Sequence, residues 1–106
     1  MPGLTIIVAS GDVRRFEAAL EVAAANAALG CRTRLFLQSA AVPLLAGAGD
    51  ALPLLAEAIA LGASVSVCQT GLAAADLSAE QLPAEVETGG LVQLLSGLGG
   101  DQLVMA

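Results

Sequence analysis

The feature that most constrains this chain is an alternation. Short β-branched runs give way, again and again, to Ala- and Leu-rich stretches closed by glycine. Leu4–Ala9 (LTIIVA) is continuous and apolar, the pattern of a strand buried on both faces of a parallel sheet. Ser10-Gly11-Asp12 breaks it, Asp12 is a good N-cap, and Val13–Leu29 carries a long helical pattern ended by Gly30. Arg32–Leu37 reads as the second strand, Gln38–Ala41 as a loop, and Val42–Gly49 as ambiguous, with Pro43 able to open a short helix. Asp50 can cap a helix running to Leu61, and Pro53 is tolerated in its first turn. Ala63–Val67 is the third strand, and a short helix follows near Gly71–Ala75. Ser78, with Glu80 and Gln81 close behind, gives a second start signal, and Glu85–Thr88 reads as a brief edge strand. A helix over Leu91–Ser96 and a last strand over Gln102–Met105 complete the pattern.

The order β-α-β-α-β-α-β-α-β predicts an α/β fold: a mainly parallel five-stranded sheet in a three-layer α/β/α sandwich, flavodoxin-like in outline. Strand order is not readable from one sequence. The length, 106 residues, fits a single domain over 1–106 that can bury a core without staples. Hydrophobic residues reach 57%, above the ~45–50% of ordinary domains. Pro43, Gly47, Gly49, Asp50, Pro53 and Glu57 interrupt the most apolar segment, Ala40–Leu61, so no run of ~20 apolar residues forms and no membrane span is expected. The N-terminus has no basic region and enters a strand at once, which argues against a signal peptide.

Composition excludes several function classes. A formal charge of −6 and only two aromatic residues, Phe16 and Phe36, argue against nucleic-acid binding. There is no histidine and no lysine. A Ser-His-Asp or Cys-His pair and an imidazole-ligated zinc are therefore impossible, and two cysteines are too few for a thiolate-rich metal site. Ser10-Gly11-Asp12 is not a phosphate-cradling fingerprint, so a flavin or nucleotide is not expected and no cofactor is assigned. Cys31 lies at the amino edge of the sheet and Cys68 at the carboxyl edge, which predicts two free thiols and suits a reducing cytoplasm.

The residues that can carry chemistry gather where strands end and helices begin, the usual place for ligands in parallel α/β sheets. Ser64-Val65-Ser66-Val67 climbs to Cys68, and Gln69-Thr70-Gly71 leads into a helix. Amides at a helix start are unpaired and the dipole there is positive, an environment that stabilises a thiolate. With no His or Lys to move a proton, and arginine unable to, acid–base hydrolysis has no support. Accepting a sulfane sulfur as a persulfide asks only for an accessible thiolate. A buried cysteine also serves as a small packing residue, and the residues alone leave Cys68 open between these roles, while Cys31 suits packing. Ser10, Gly11, Asp12, Gln38, Ser39, Gln69, Thr70 and Gly71 would share the carboxyl edge and could line a polar pocket. Arg14 and Arg15 read as solvated, with one of them able to support an anion there.

On these residues the chain resembles the DsrE/DsrF-like family, which includes sulfur-relay proteins of the TusD and YchN type. The resemblance covers Ile6-Ile7-Val8-Ala9-Ser10-Gly11, the helix Ala18–Leu29 with Gly30, Leu35-Phe36-Leu37, Ala41-Val42, Leu61-Gly62-Ala63, and Val65 to Leu72 around Cys68. It implies a DsrEFH-like fold, a homo-oligomer (trimer or hexamer), and a cytoplasmic sulfurtransferase or sulfur carrier. Cys68 would take persulfide sulfur from a donor protein and pass it to an acceptor protein. Some relatives have a second cysteine a few residues on; here Gln69, Thr70 and Gly71 fill those places, which favours a one-cysteine carrier over disulfide chemistry. The helices are apolar over more surface than one sheet face can cover, which independently predicts self-association. The competing expectation is a non-catalytic oligomeric binding or assembly module of the same fold.

Overall fold

A computed structural model describes residues 3–47 and 51–106. Its elements run β1 (Leu4–Val8), α1 (Val13–Ala28), β2 (Thr33–Leu37), a 3-10 helix (Ser39–Leu45), α2 (Ala51–Ala60), β3 (Ser64–Cys68), α3 (Gln69–Ala74), a 3-10 turn (Ala79–Gln81), β4 (Glu87–Gly89), α4 (Leu91–Ser96) and β5 (Gln102–Met105). The five strands are all parallel, in the order β4-β3-β2-β1-β5. The chain thus winds one way from β1 to β4, then crosses back to place β5 on the other side of β1.

Alternation along the strands makes two unequal faces. Ile6, Val8, Leu35, Leu37, Val65 and Val67 point to one face and form the main core with Phe16, Leu20 and Ala23 of α1 and Leu55 and Ala58 of α2. Alanines on α1 let it lie close to both the sheet and α2. The second face is covered by one short helix, where Leu94 of α4 packs on Ile7 and Phe36. Rows on that face follow the register: Met105, Ile7, Phe36, Ser66 and Glu87 lie side by side across the five strands. The face therefore grades from apolar to polar towards β4.

Helix boundaries have local causes. Asp12 caps α1: its Oδ1 accepts from the Arg14 N–H at 2.9 Å and the Arg15 N–H at 3.4 Å. Such a cap stabilises by about 1 kcal/mol. Gly30 ends the helix with φ 82°, a left-handed conformation that costs glycine nothing. The Ser78 N–H donates to Gln81 Oε1 at 2.8 Å, so the start signal there closes a single 3-10 turn. Within the expected loop and the ambiguous stretch after β2, Ser39–Leu45 form a 3-10 helix instead. It opens on Ser39 at φ 53°, and Pro43 lies within it. Asp50, expected to cap α2, lies outside the described residues. Among the described residues, no helix is long and apolar enough to cross a membrane.

Candidate functional site

Cys68 is the last residue of β3 and the N-cap of α3, with φ −67° and ψ 123°. The third strand runs one residue further than its β-branched pattern, so strand and helix meet at the cysteine itself. Among the described residues no side chain caps α3, and its first amides lack a side-chain partner there. The Cys68 side chain is half-buried, unpaired with Cys31, and its carbon frame rests on Ile7, Phe36 and Leu94. The sulfur is thus neither sealed in the main core nor standing clear of the surface.

Its neighbours come from two strand ends. A Cβ built on Gly71 would stand 2.7 Å from Val42 Cγ2, 3.5 Å from Cys68 Cβ and 3.6 Å from the Ser39 nitrogen. Only a glycine lets α3 seat this closely on the 3-10 helix. Ser39, Gly71 and Cys68 are therefore brought together. Gly11 approaches the same region from β1, where a Cβ would lie 3.0 Å from the Ala40 carbonyl oxygen. Ser10 and Asp12 are engaged in the α1 cap, with the Asp12 N–H donating to Ser10 Oγ at 3.1 Å. Gln38 is half-buried, and its N–H donates to the Val8 carbonyl at 3.0 Å. Gln69 and Thr70 are exposed, and Gln69 Nε2 reaches across to Thr88 Oγ1 at 3.4 Å. Arg14 is exposed and makes no ion pair among the described residues; only its backbone N–H is engaged, at the α1 cap. These residues line the carboxyl edge, but the winding reverses between β1 and β5, two strands from Cys68.

Cavities lie elsewhere. One of about 230 Å³ opens on the second sheet face below Cys68, and includes Arg34, Ser64, Ser66 and Gln93. Another, about 270 Å³, is an apolar groove between α1 and β5 formed by Ile6, Ala18, Val22 and Val104. Among the described residues, no group of three or more cysteine or carboxylate side chains is placed to hold a metal ion.

A charged cluster near the amino ends of β1, β2 and β5 escaped the sequence reading. Asp101, 6% exposed, faces Arg32 Nε at 3.5 Å and Arg34 Nε at 3.7 Å, and accepts from Thr5 Oγ1 at 3.3 Å. Arg34 Nε also donates to Thr5 Oγ1 at 3.1 Å. Burial, then the nearby Arg32 charge, hold the Arg34 guanidinium below its ordinary range, and Asp101 partly offsets them. The one available signal was an arginine inside the apolar run of β2. Cys31 sits half-buried before β2, at the opposite end of the sheet from Cys68.

The whole chain has clear structural likenesses. It superposes on MTH1491 of Methanobacterium thermoautotrophicum, a protein of unknown function, with TM-score 0.84 and 14% identity, covering 100% of both chains. BT1422 of Bacteroides thetaiotaomicron, also of unknown function, gives TM-score 0.83 and 17% identity over 98% of this chain and 94% of that one. The ychN protein of E. coli gives TM-score 0.74 and 25% identity, covering 98% and 99% of the two chains. These likenesses support the fold expected of a DsrE/DsrF-like chain. No protein-family model matches the sequence, and no curated protein matches it.

Proposed function

We propose that this chain is a one-cysteine sulfur carrier of the DsrE/DsrF-like type, with Cys68 as the acceptor. The observation that carries the proposal is the position of Cys68: a free, half-buried thiol at a strand-to-helix junction whose first helical amides have no side-chain cap. The likeness to ychN supports it. The Cys68 thiolate attacks the outer sulfur of a donor persulfide, R–S–SH. The donor S–S bond breaks, R–S⁻ leaves, and Cys68 becomes Cys–S–SH. An acceptor thiolate then attacks that outer sulfur and releases the Cys68 thiolate. No general base is needed beyond solvent, which suits a chain without histidine or lysine.

Ser39, Gly71, Gln69 and Thr70 form the immediate rim around the sulfur, with Ser10, Gly11, Asp12, Arg14 and Gln38 further along the same edge. The donor and acceptor are proteins, and the working compartment is the cytoplasm. The chain works as a homo-oligomer. Val22, Val92, Val104 and Met105 are 53%, 84%, 43% and 61% exposed, and all four residues of β5 are exposed at an open sheet edge.

A second reading, a non-catalytic assembly module, is favoured by the packing of Cys68 on Ile7, Phe36 and Leu94. Competitive alkylation of the native protein at neutral pH separates the two. A carrier reacts at Cys68 faster than at Cys31, and protein taken from its own cells carries a trapped persulfide on the Cys68 peptide. Slower labelling of Cys68 than of Cys31, with no persulfide on that peptide, would favour the assembly module.

A further inference from the structure

The two edges of the sheet differ. β4 is three residues long and carries Glu87, a charge that discourages a further strand. β5 is four residues long, uncharged and without proline, and all four of its residues are exposed. The bonds at its ends fix which of its backbone groups are free. The Gln102 N–H donates to the Gly3 carbonyl at 2.9 Å, and the Ala106 N–H donates to the Ile7 carbonyl at 2.8 Å. Backbone groups alternate along a strand, so Gln102, Val104 and Ala106 turn theirs to β1. Leu103 and Met105 turn their N–H and C=O groups to the open edge.

The ground beside this edge is apolar. The groove of about 270 Å³ between α1 and β5 is walled by Ile6, Ala18, Val22 and Val104, with Arg15 towards the Ala106 end. Because α1 runs opposite to the strands, Ala18 lies near the level of Val104. Arg15 and Glu21 stand three residues to either side of Ala18. Both are exposed, and neither makes an ion pair among the described residues.

Strand and helix are self-complementary about one twofold axis. An isologous pair of edge strands runs antiparallel. With the axis at Val104, Leu103 faces the partner's Met105, and each such pair exchanges both of its outward bonds. The same axis sets the two α1 helices antiparallel and brings Arg15 opposite the partner's Glu21. Three strand spacings, roughly 14 Å, then separate the two β1 strands. Val22 and the long Arg15 and Glu21 side chains of both copies span that gap. A chain of net charge −6 repels its copy, and here the edge is uncharged and the flanking charges are opposite.

We propose that the occupant of this edge and groove is a second copy of the chain, joined β5 to β5 into one continuous sheet. This names the contact for the homo-oligomer described above and rests on that reading.

The test is sedimentation velocity of the reduced protein from ~1 to ~100 μM, with three sets of variants. A dimer, or a larger even-numbered assembly, is expected. Met105→Pro removes an N–H that faces the open edge and spares the ladder to β1, so it should raise the dimer dissociation constant about tenfold or more with the fold retained. Arg15→Glu and Glu21→Arg should each weaken the dimer several-fold, and the double exchange should restore it. Val104→Cys, in a chain with Cys31→Ser and Cys68→Ser, places its sulfur beside its own copy at a Cα separation of about 4.5 Å and should form a disulfide-linked dimer. Leu103→Cys should not, because its own copy lies two residues out of register. These exposed positions keep the test open even where Met105→Pro fails to fold. A monomer at every concentration would overturn this proposal together with the homo-oligomer reading, and would leave the edge to an extended segment of another protein. An assembly unchanged by Met105→Pro and by both charge reversals, with no Val104→Cys cross-link, would overturn this contact alone.

Discussion

Replacing Asp101 with asparagine should destabilise the fold by about 2–3 kcal/mol, most of it through a single arginine. The carboxylate is 6% exposed and faces Arg32 Nε at 3.5 Å and Arg34 Nε at 3.7 Å. Asparagine keeps the shape and an oxygen for Thr5, so the perturbation is the loss of charge. Arg32 has a side chain 52% exposed and its Nη2 also donates to the Gly97 carbonyl at 2.8 Å. It can be hydrated, and its share is about 0–1 kcal/mol. Arg34 has a side chain only 17% exposed and would be left as a buried charge. Stranding a charge in this way costs ~3–5 kcal/mol when the pair is tight and fully buried. Tight charged bonds measure ~2.7–2.9 Å, and the separations here are longer, which sets the estimate below that range. Urea denaturation should show the loss with an unchanged m value, and Tm should fall by roughly 10–20 °C. In an Arg34→Met background the same Asp101→Asn change should cost about 1 kcal/mol or less, because the buried charge has gone. A single-mutant loss below about 0.5 kcal/mol, or an equal loss with and without Arg34, would refute this account of the cluster.

Other consequences follow from the same geometry. Gly71→Ala places a methyl 2.7 Å from Val42 Cγ2 and should cost ~1–3 kcal/mol by urea denaturation, with altered amide shifts at Ser39 and Cys68. Asp12→Ala removes the acceptor at the start of α1 and should cost ~1 kcal/mol, whereas Asp12→Ser should recover most of it. Glu80 is held below the usual carboxylate range by a bond to its own backbone N–H and then by Ser78. Its folded pKa lies below its unfolded one, so its contribution is present above about pH 4.3 and is lost as pH falls through the folded value. Titration of the Glu80 side chain by NMR should show that depressed midpoint, and Ser78→Ala should raise it.

The elements were legible in the sequence wherever a face repeats. Leu4 to Val8 and Val13 to Ala28 show continuous or helical periodicity, and the observed bounds differ from the expected ones by one residue. Leu91–Ser96 is bracketed by Gly90 and Gly97, and both it and Gln102–Met105 match their expected bounds. The strand-to-helix junction at Cys68 is legible because β-branched alternation stops there. The order of strands was not legible, since nothing local records that β5 returns to pair with β1. The 3-10 helix Ser39–Leu45 was hidden because it rests on a left-handed serine and on Gly71 seating against Val42, contacts that local periodicity does not encode. Thr5, Arg34 and Asp101 are far apart in the chain, and only the register of three strands unites them.

The central claim concerns one sulfur atom, and intact-protein mass spectrometry addresses it most directly. The reduced chain is loaded with a low-molecular-weight persulfide, freed of excess donor, and then given an acceptor thiol. The account predicts a gain of one sulfur atom that Cys31→Ser retains and Cys68→Ser abolishes, and that disappears when the acceptor is added. Sulfur gained equally by Cys68→Ser, or no gain at all on a folded protein, would contradict it.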